Sequence, residues 1–113
     1  MSRTRAVFVH SGEVEKFRYP DECPFKAQRA GMLRQTLASM GLLSGADRHE
    51  VAPAAADRAA LEAFHTPRYL DVLQRAARGD MDVEGLYMGL GTPETPVFAD
   101  LYDYAALACG GTL

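Results

Sequence analysis

Three histidines, His10, His49 and His65, are the residues best suited to acid–base or metal chemistry, and each stands alone in the chain. There is no His-Glu-x-x-His, no histidine pair and no Gly-x-Ser-x-Gly elbow, so no local motif encodes a zinc peptidase or a nucleophilic serine. Asp47-Arg48-His49 has the Asp-x-His spacing that can present two zinc ligands from one extended segment. It follows Ser44-Gly45-Ala46, with no apolar strand ahead of it to hold the ligands rigid. A small metal site built from Asp47, His49 and His65 therefore ranks last among the functions the sequence suggests. Cys109 lies on the apolar side of a helical pattern, the place of a buried small hydrophobe more than of a nucleophile. Gly89-Leu90-Gly91 lacks the preceding strand and the following Lys-Ser/Thr of a phosphate loop. No complete catalytic constellation is present, and no metal ligand is expected on these residues.

The elements that must carry these side chains are readable from their periodicity. Ala6-Val7-Phe8-Val9 is a continuous apolar run, predicted as a strand buried on both faces in a parallel sheet. The polar stretch His10 to Phe25 contains Pro20 and Pro24, which forbid regular helix; it reads as a loop lining a site at the strand's carboxyl end or as a surface excursion. From Lys26 to Met40 the residues Ala30, Leu33, Leu37 and Met40 form one helical stripe, with Arg29, Met32 and Thr36 beside it and Gly41 as the stop. His49 to Ala52 is a candidate second strand before Pro53. Ala54 to Phe64 predicts a short helix with Ala60, Leu61 and Phe64 on one face. Thr66-Pro67 predicts the capped start of another, with Tyr69, Val72, Leu73 and Ala76 inward and Gly79 closing it. Gly79 to Pro96 shows no sustained period and is predicted as mostly loop. Phe98, Leu101, Tyr102, Ala105 and Cys109 mark a final helix.

Composition bounds the partners. The chain has 113 residues, with 48% hydrophobic and 24% charged, the usage of one globular domain and not of a disordered tail or a rod. Twelve basic residues are scattered against 15 acidic ones, for a net charge of −3, so no basic block favours nucleic acid. Two cysteines without Cys-x-x-Cys spacing imply no disulfide framework, and the short apolar run at the start is too brief for a signal segment or membrane span. A cytoplasmic protein that binds neither nucleic acid nor membrane is expected.

Three segments, taken in order, resemble the amino-terminal part of the zinc-dependent histone deacetylase family, in particular its bacterial acetoin-utilisation deacetylase branch. Tyr19-Pro-Asp-Glu-Cys-Pro-Phe-Lys-Ala-Gln-Arg29-Ala-Gly-Met32 resembles the family's loop and first helix. Phe64-His65-Thr66-Pro67-Arg68-Tyr69-Leu70 resembles its Phe/Tyr-His-Thr/Ser-x-x-Tyr-Ile/Leu helix start. Gly89-Leu90-Gly91-Thr92-Pro93-Glu94-Thr95-Pro96-Val97-Phe98, continuing to Gly110-Gly111-Thr112, resembles its Pro-Val-Phe loop and Gly-Gly helix.

The resemblance implies an α/β fold, here the amino-terminal part of an arginase/deacetylase-like parallel sheet covered by helices, in a single incomplete domain spanning residues 1–113. It implies a hydrolase acting on acetyl-lysine or a small acetylated amine, with Zn2+ in the complete enzyme. The family's metal ligands, paired histidines and oxyanion-stabilising tyrosine all lie beyond the Gly-Gly helix, so the isolated chain is expected to hold no zinc, to contain no catalytic residue and to be inactive. The carried-over positions are supporting ones. Arg29 matches an arginine lining the family's internal channel, where a guanidinium would pair with a leaving carboxylate. Glu94 falls where eukaryotic members place an acidic rim residue that accepts hydrogen bonds from the substrate backbone. Tyr19 and Phe25 line the tunnel or pack the loop onto the sheet. Cys23 stands where the family commonly has histidine. The rival reading is a non-catalytic, truncated interaction module that docks on a partner, a complementary chain or a second copy, since a partial sheet exposes apolar edges.

Overall fold

The fold, described by a computed structural model for residues 4–113, begins with a strand–helix–strand unit. Strand β1 (Ala6–Val9) pairs in parallel with β2 (Arg48–Val51), from Ala6 opposite Arg48 to Val9 opposite Val51. His10 N–H donates to the Val51 carbonyl at 2.9 Å and extends the ladder past the strand end. The parallel pairing agrees with the expectation, whereas the burial of β1 does not. Val7 is 59% exposed and Val9 41%, because the described residues supply two strands and no layer covering both faces. β2 starts and ends one residue earlier than the sequence pattern suggests.

Helix α1 (Arg29–Ser39) joins the strands. It begins three residues later than predicted and stops at Gly41, whose φ of +71° lets Leu42 N–H reach back to the Leu37 carbonyl at 3.0 Å. Its predicted apolar stripe is not a buried one. Leu33 and Met40 are 52% and 64% exposed, and Gly31 is the buried position, with the Glu15 carboxylate seated against it. A side chain there would collide with that carboxylate. Glu15 belongs to a 3-10 turn (Gly12–Lys16) inside the stretch read as loop.

The core surrounds the second helical group. Helix α2 (Arg58–Glu62) is shorter than the predicted 54–64; Asp57 caps it, its carboxylate accepting from Ala60 N–H at 2.8 Å. Leu61 is buried as expected, but Phe64 is 88% exposed, because the chain leaves the helix before Phe64 can join that face. Helix α3 (Pro67–Ala77) starts as predicted, with the Thr66 hydroxyl accepting from Tyr69 N–H at 3.2 Å and Pro67 at its first position. It buries Leu70, Val72, Leu73 and Ala76, and Gly79 at φ +94° ends it. Helix α4 (Val83–Tyr87) lies in the stretch expected to be mostly loop, capped by Asp82 accepting from Gly85 N–H at 3.1 Å. One cluster joins Val72, Leu73, Ala76 and Leu90 with Met81 and Val97; a second joins Leu61, Leu70 and Ala106. Arg58 ties α2 to α3 through Glu62, Asp71, Gln74 and the Pro67 carbonyl.

Helix α5 (Leu101–Thr112) closes the group and runs past the 54–56 segment, where Ala56 N–H donates to the Ala106 carbonyl at 2.9 Å. A Cβ on Gly110 would lie 1.6 Å from the Ala54 carbonyl oxygen, so two backbones meet here without side chains between them. The chain as a whole is drawn out. Its radius of gyration is 16.8 Å and its extents are 55 × 31 × 18 Å, against about 13 Å for a compact domain of this length.

Candidate functional site

Two segments far apart in sequence converge beside α5. The 17–28 loop cannot form helix because of Pro20 and Pro24, and it folds around Cys23, which is 2% exposed and donates its N–H to the Pro20 carbonyl at 2.9 Å. This brings Tyr19 onto Phe98, with ring centroids 4.5 Å apart, and edge-on to Phe25 and Tyr104 at 4.8 and 5.5 Å. Phe17 completes the group against Tyr104 at 5.5 Å. Such tilted and edge-on contacts place positive ring edges on negative faces and fix the loop to the helix. Burial, helped by Tyr104 and Cys23, pushes the Tyr19 phenol above its ordinary pKa, and burial does the same for Tyr104.

Between this loop and the 89–98 segment lies an open groove of ≈ 360 Å³, lined by Pro20, Cys23, Thr92, Pro93, Pro96 and Val97. Glu94 follows the lining Pro93 in sequence, is exposed to solvent and does not itself line the groove. Phe25 is 42% exposed while keeping its contacts with Tyr19 and Tyr104. Of the four residues singled out by sequence, Tyr19 and Phe25 share one aromatic group with Phe98 and Tyr104, while Glu94 is exposed in the 89–98 segment. Arg29, the first residue of α1, is exposed, and its side chain makes no ion pair among the described residues.

A second polar cluster lies at the carboxyl ends of β1 and β2, where the sequence pattern places a loop lining a site but gives no side-chain pairs. His10 Nε2 lies 3.0 Å from the Glu15 carboxylate, and Arg34 grips Glu50 through Nε and Nη2 at 2.6 and 3.1 Å. These pairs wall an open cavity of ≈ 450 Å³, with Ser11 and Gln35 between them. The Arg34 hydrogen bond holds the Glu50 carboxyl below its usual range. Residues at the carboxyl ends of parallel strands are where α/β proteins place ligands, which agrees with the site-lining reading of the stretch that begins at His10. Arg34 and Glu50 are 16 positions apart, with nothing local to pair them.

The remaining candidates are not brought together. Asp47 and His49 lie at the start of β2, with His49 opposite Val7, whereas the His65 ring packs on Phe64 and Tyr69. Among the described residues no group of three or more His, Cys, Asp or Glu could hold a metal ion, so they do not fit a zinc centre. No described helix is long and apolar enough to cross a membrane.

Residues 23–113 match the histone deacetylase domain. The acetoin utilization protein AcuC of Bacillus subtilis is 33% identical over 109 residues, covering 96% of this chain and 28% of that protein. Histone deacetylase 8 of Xenopus tropicalis is 36% identical over 110 residues, with 95% and 28% covered. Histone deacetylase RPD3 of Saccharomyces cerevisiae is 25% identical over 114 residues, with 98% and 26% covered. The chain thus spans little more than a quarter of the length of these relatives. Its parallel strand pair and flanking helices are part of the α/β arginase/deacetylase fold, and with the match running from residue 23 through the 89–98 segment and α5, the chain belongs to the histone deacetylase family.

Proposed function

We propose that residues 1–113 form one incomplete domain, the amino-terminal portion of a zinc-dependent deacetylase acting in the cytoplasm on acetyl-lysine or a related acetylated amine. The observation that carries this reading is the groove where the Tyr19–Phe25 loop meets the 89–98 segment, built from two of the three segments that resemble the family. In this reading Tyr19 and Phe25 hold the loop against Phe98 and Tyr104 so that Pro20 and Cys23 face Pro96 and Val97 across the groove, and Glu94 is the acidic residue that would accept from the substrate backbone. Arg29, exposed at the start of α1, is the arginine that would meet the released carboxylate. The metal and the groups that activate water are assigned to sequence beyond Leu113, so these residues alone bind substrate elements without turning them over. The test is hydrolysis of an acetyl-lysine peptide by the natural protein before and after zinc chelation, with purified residues 1–113 alongside. Chelation-sensitive hydrolysis by the former and none by the latter is expected. Turnover by residues 1–113 with zinc would overturn the assignment.

A second reading, a non-catalytic module that docks on a complementary chain or a second copy, is favoured by one observation. Val7 and Val9 alternate onto one side of β1 beside Val51, the register partner of Val9 on β2, and all three are exposed, an apolar strip on a two-stranded sheet of the kind that a further layer or a partner covers.

A further inference from the structure

The groove between the 17–28 loop and the 89–98 segment has walls that are each ordered from within. On the loop side, Cys23 N–H donates to the Pro20 carbonyl at 2.9 Å and Lys26 Nζ donates to the Asp21 carbonyl at 3.1 Å. On the other side, the N–H groups of Gly91 and Thr92 both donate to the Thr95 carbonyl, at 2.9 and 3.2 Å, and the Thr95 hydroxyl donates to the Gly89 carbonyl at 2.6 Å. Pro20, Pro93 and Pro96 add fixed φ angles to the lining. The walls are joined where Tyr19 meets Phe98, with ring centroids 4.5 Å apart. Neither ring lines the groove, but each directly adjoins a residue that does: Pro20 follows Tyr19, and Val97 precedes Phe98. Two stiff walls tied at one point have a separation set by that tie. The lining is mainly apolar, through Pro20, Cys23, Pro96 and Val97, and among the described residues Glu22 is the charged member of it.

We propose that this groove takes an aliphatic side chain next to the acylated lysine of a peptide substrate, that Glu22 turns away an acidic one, and that Phe98 is the positioning residue that fixes the groove's width through Tyr19 and Val97. This rests on the deacylase reading above. Methylene groups laid between Pro20 and Val97 leave water for apolar surface, which is favourable in proportion to the area covered. A carboxylate brought beside Glu22 meets like charge instead, so the same lining that accepts one neighbour rejects the other.

The test is steady-state kinetics on the full natural protein with three acetyl-lysine peptides that differ only in having leucine, glycine or aspartate on both sides of the acetylated residue. The leucine peptide is expected to show a KM roughly five- to tenfold below that of the glycine peptide, as partial burial of one leucine gives, and the aspartate peptide a KM above it. Phe98→Leu keeps apolar bulk and removes the ring; it should abolish the leucine preference while leaving the glycine-peptide KM and kcat within about twofold. Phe98→Tyr, which keeps the ring, should retain the preference. Glu22 is exposed, so Glu22→Gln leaves packing alone and should bring the aspartate peptide to the glycine level. Wild-type protein that does not distinguish leucine from glycine would overturn the groove assignment. A leucine preference that survives Phe98→Leu, or a uniform loss for all three peptides, would overturn the positioning role, and an aspartate penalty that survives Glu22→Gln would overturn the role of Glu22. The deacylase reading stands in each of these cases. Wild-type protein that hydrolyses none of the peptides would overturn that reading and this inference with it.

Discussion

Gly110→Ala is a one-methyl change whose effect follows from the contact between α5 and the 54–56 segment. The added Cβ would sit 1.6 Å from the Ala54 carbonyl oxygen, 2.7 Å from its carbon and 2.8 Å from the Ala56 nitrogen. All three are backbone atoms, so no rotamer change relieves the clash; the segment must retreat by well over an ångström. That retreat breaks the Ala56–Ala106 hydrogen bond, costing about 1 kcal/mol, and strains the surrounding packing by roughly 1–3 kcal/mol. Alanine's better helix propensity returns about 1 kcal/mol. The net expectation is a loss of roughly 1–3 kcal/mol. Gly111→Ala is the internal comparison, since its Cβ meets the side chains of Val9 and Pro53 at 3.3 and 3.4 Å, which can yield. Urea midpoints of the natural protein, followed by circular dichroism, should fall for Gly110→Ala and stay near wild type for Gly111→Ala. Equal midpoints, or a Gly110→Ala protein more stable than wild type, would refute the close backbone approach.

Thr66→Ala removes the acceptor for Tyr69 N–H at the start of α3 and should cost about 1 kcal/mol in the same assay; no change would mean that the cap carries nothing. Burial raises the Tyr19 and Tyr104 phenols, so folding favours their neutral forms. Their contribution is fully present below the unfolded value of about 10 and is lost as pH rises through the higher folded values. Phenolate absorbance should therefore develop later for these two than for free tyrosine, and a normal titration would contradict their packing. Purified residues 1–113 should sediment as associated species, with Leu33→Glu reducing the association; a monodisperse monomer would show that the exposed strand and helix faces need no cover.

Much of the secondary structure was legible because its signals are local. The unbroken Ala6–Val9 run, Thr66-Pro67 before α3, and Gly41 and Gly79 after their helices each need a few residues to act. Burial was not legible in the same way. The stripe of Leu33 and Met40 has helical spacing, but whether it meets a partner depends on layers absent from the described residues. Helix α4 was missed because glycines dilute its short apolar pattern; Asp82, which caps it, was the available signal. At the site, the sequence marked Tyr19, Phe25 and Glu94 through family resemblance, and the packing of Tyr19 and Phe25 on α5 and Phe98 is a tertiary fact. Tyr19 meets Phe98 across 79 positions, a pairing with no periodicity to reveal it. Arg34 and Glu50, 16 positions apart, pair without periodicity too, and His10 meets Glu15 only because a 3-10 turn folds the five intervening positions back.

The central claim is that these residues are the front of a deacetylase whose metal-binding half lies on further sequence. The intact mass of the native protein, detected in its cells with an antibody to this segment, tests it most directly. A mass several times 12.3 kDa is expected, because the relatives it matches are more than three times as long as the aligned region. A native species of 12.3 kDa would contradict the claim and leave the docking module as the reading to pursue.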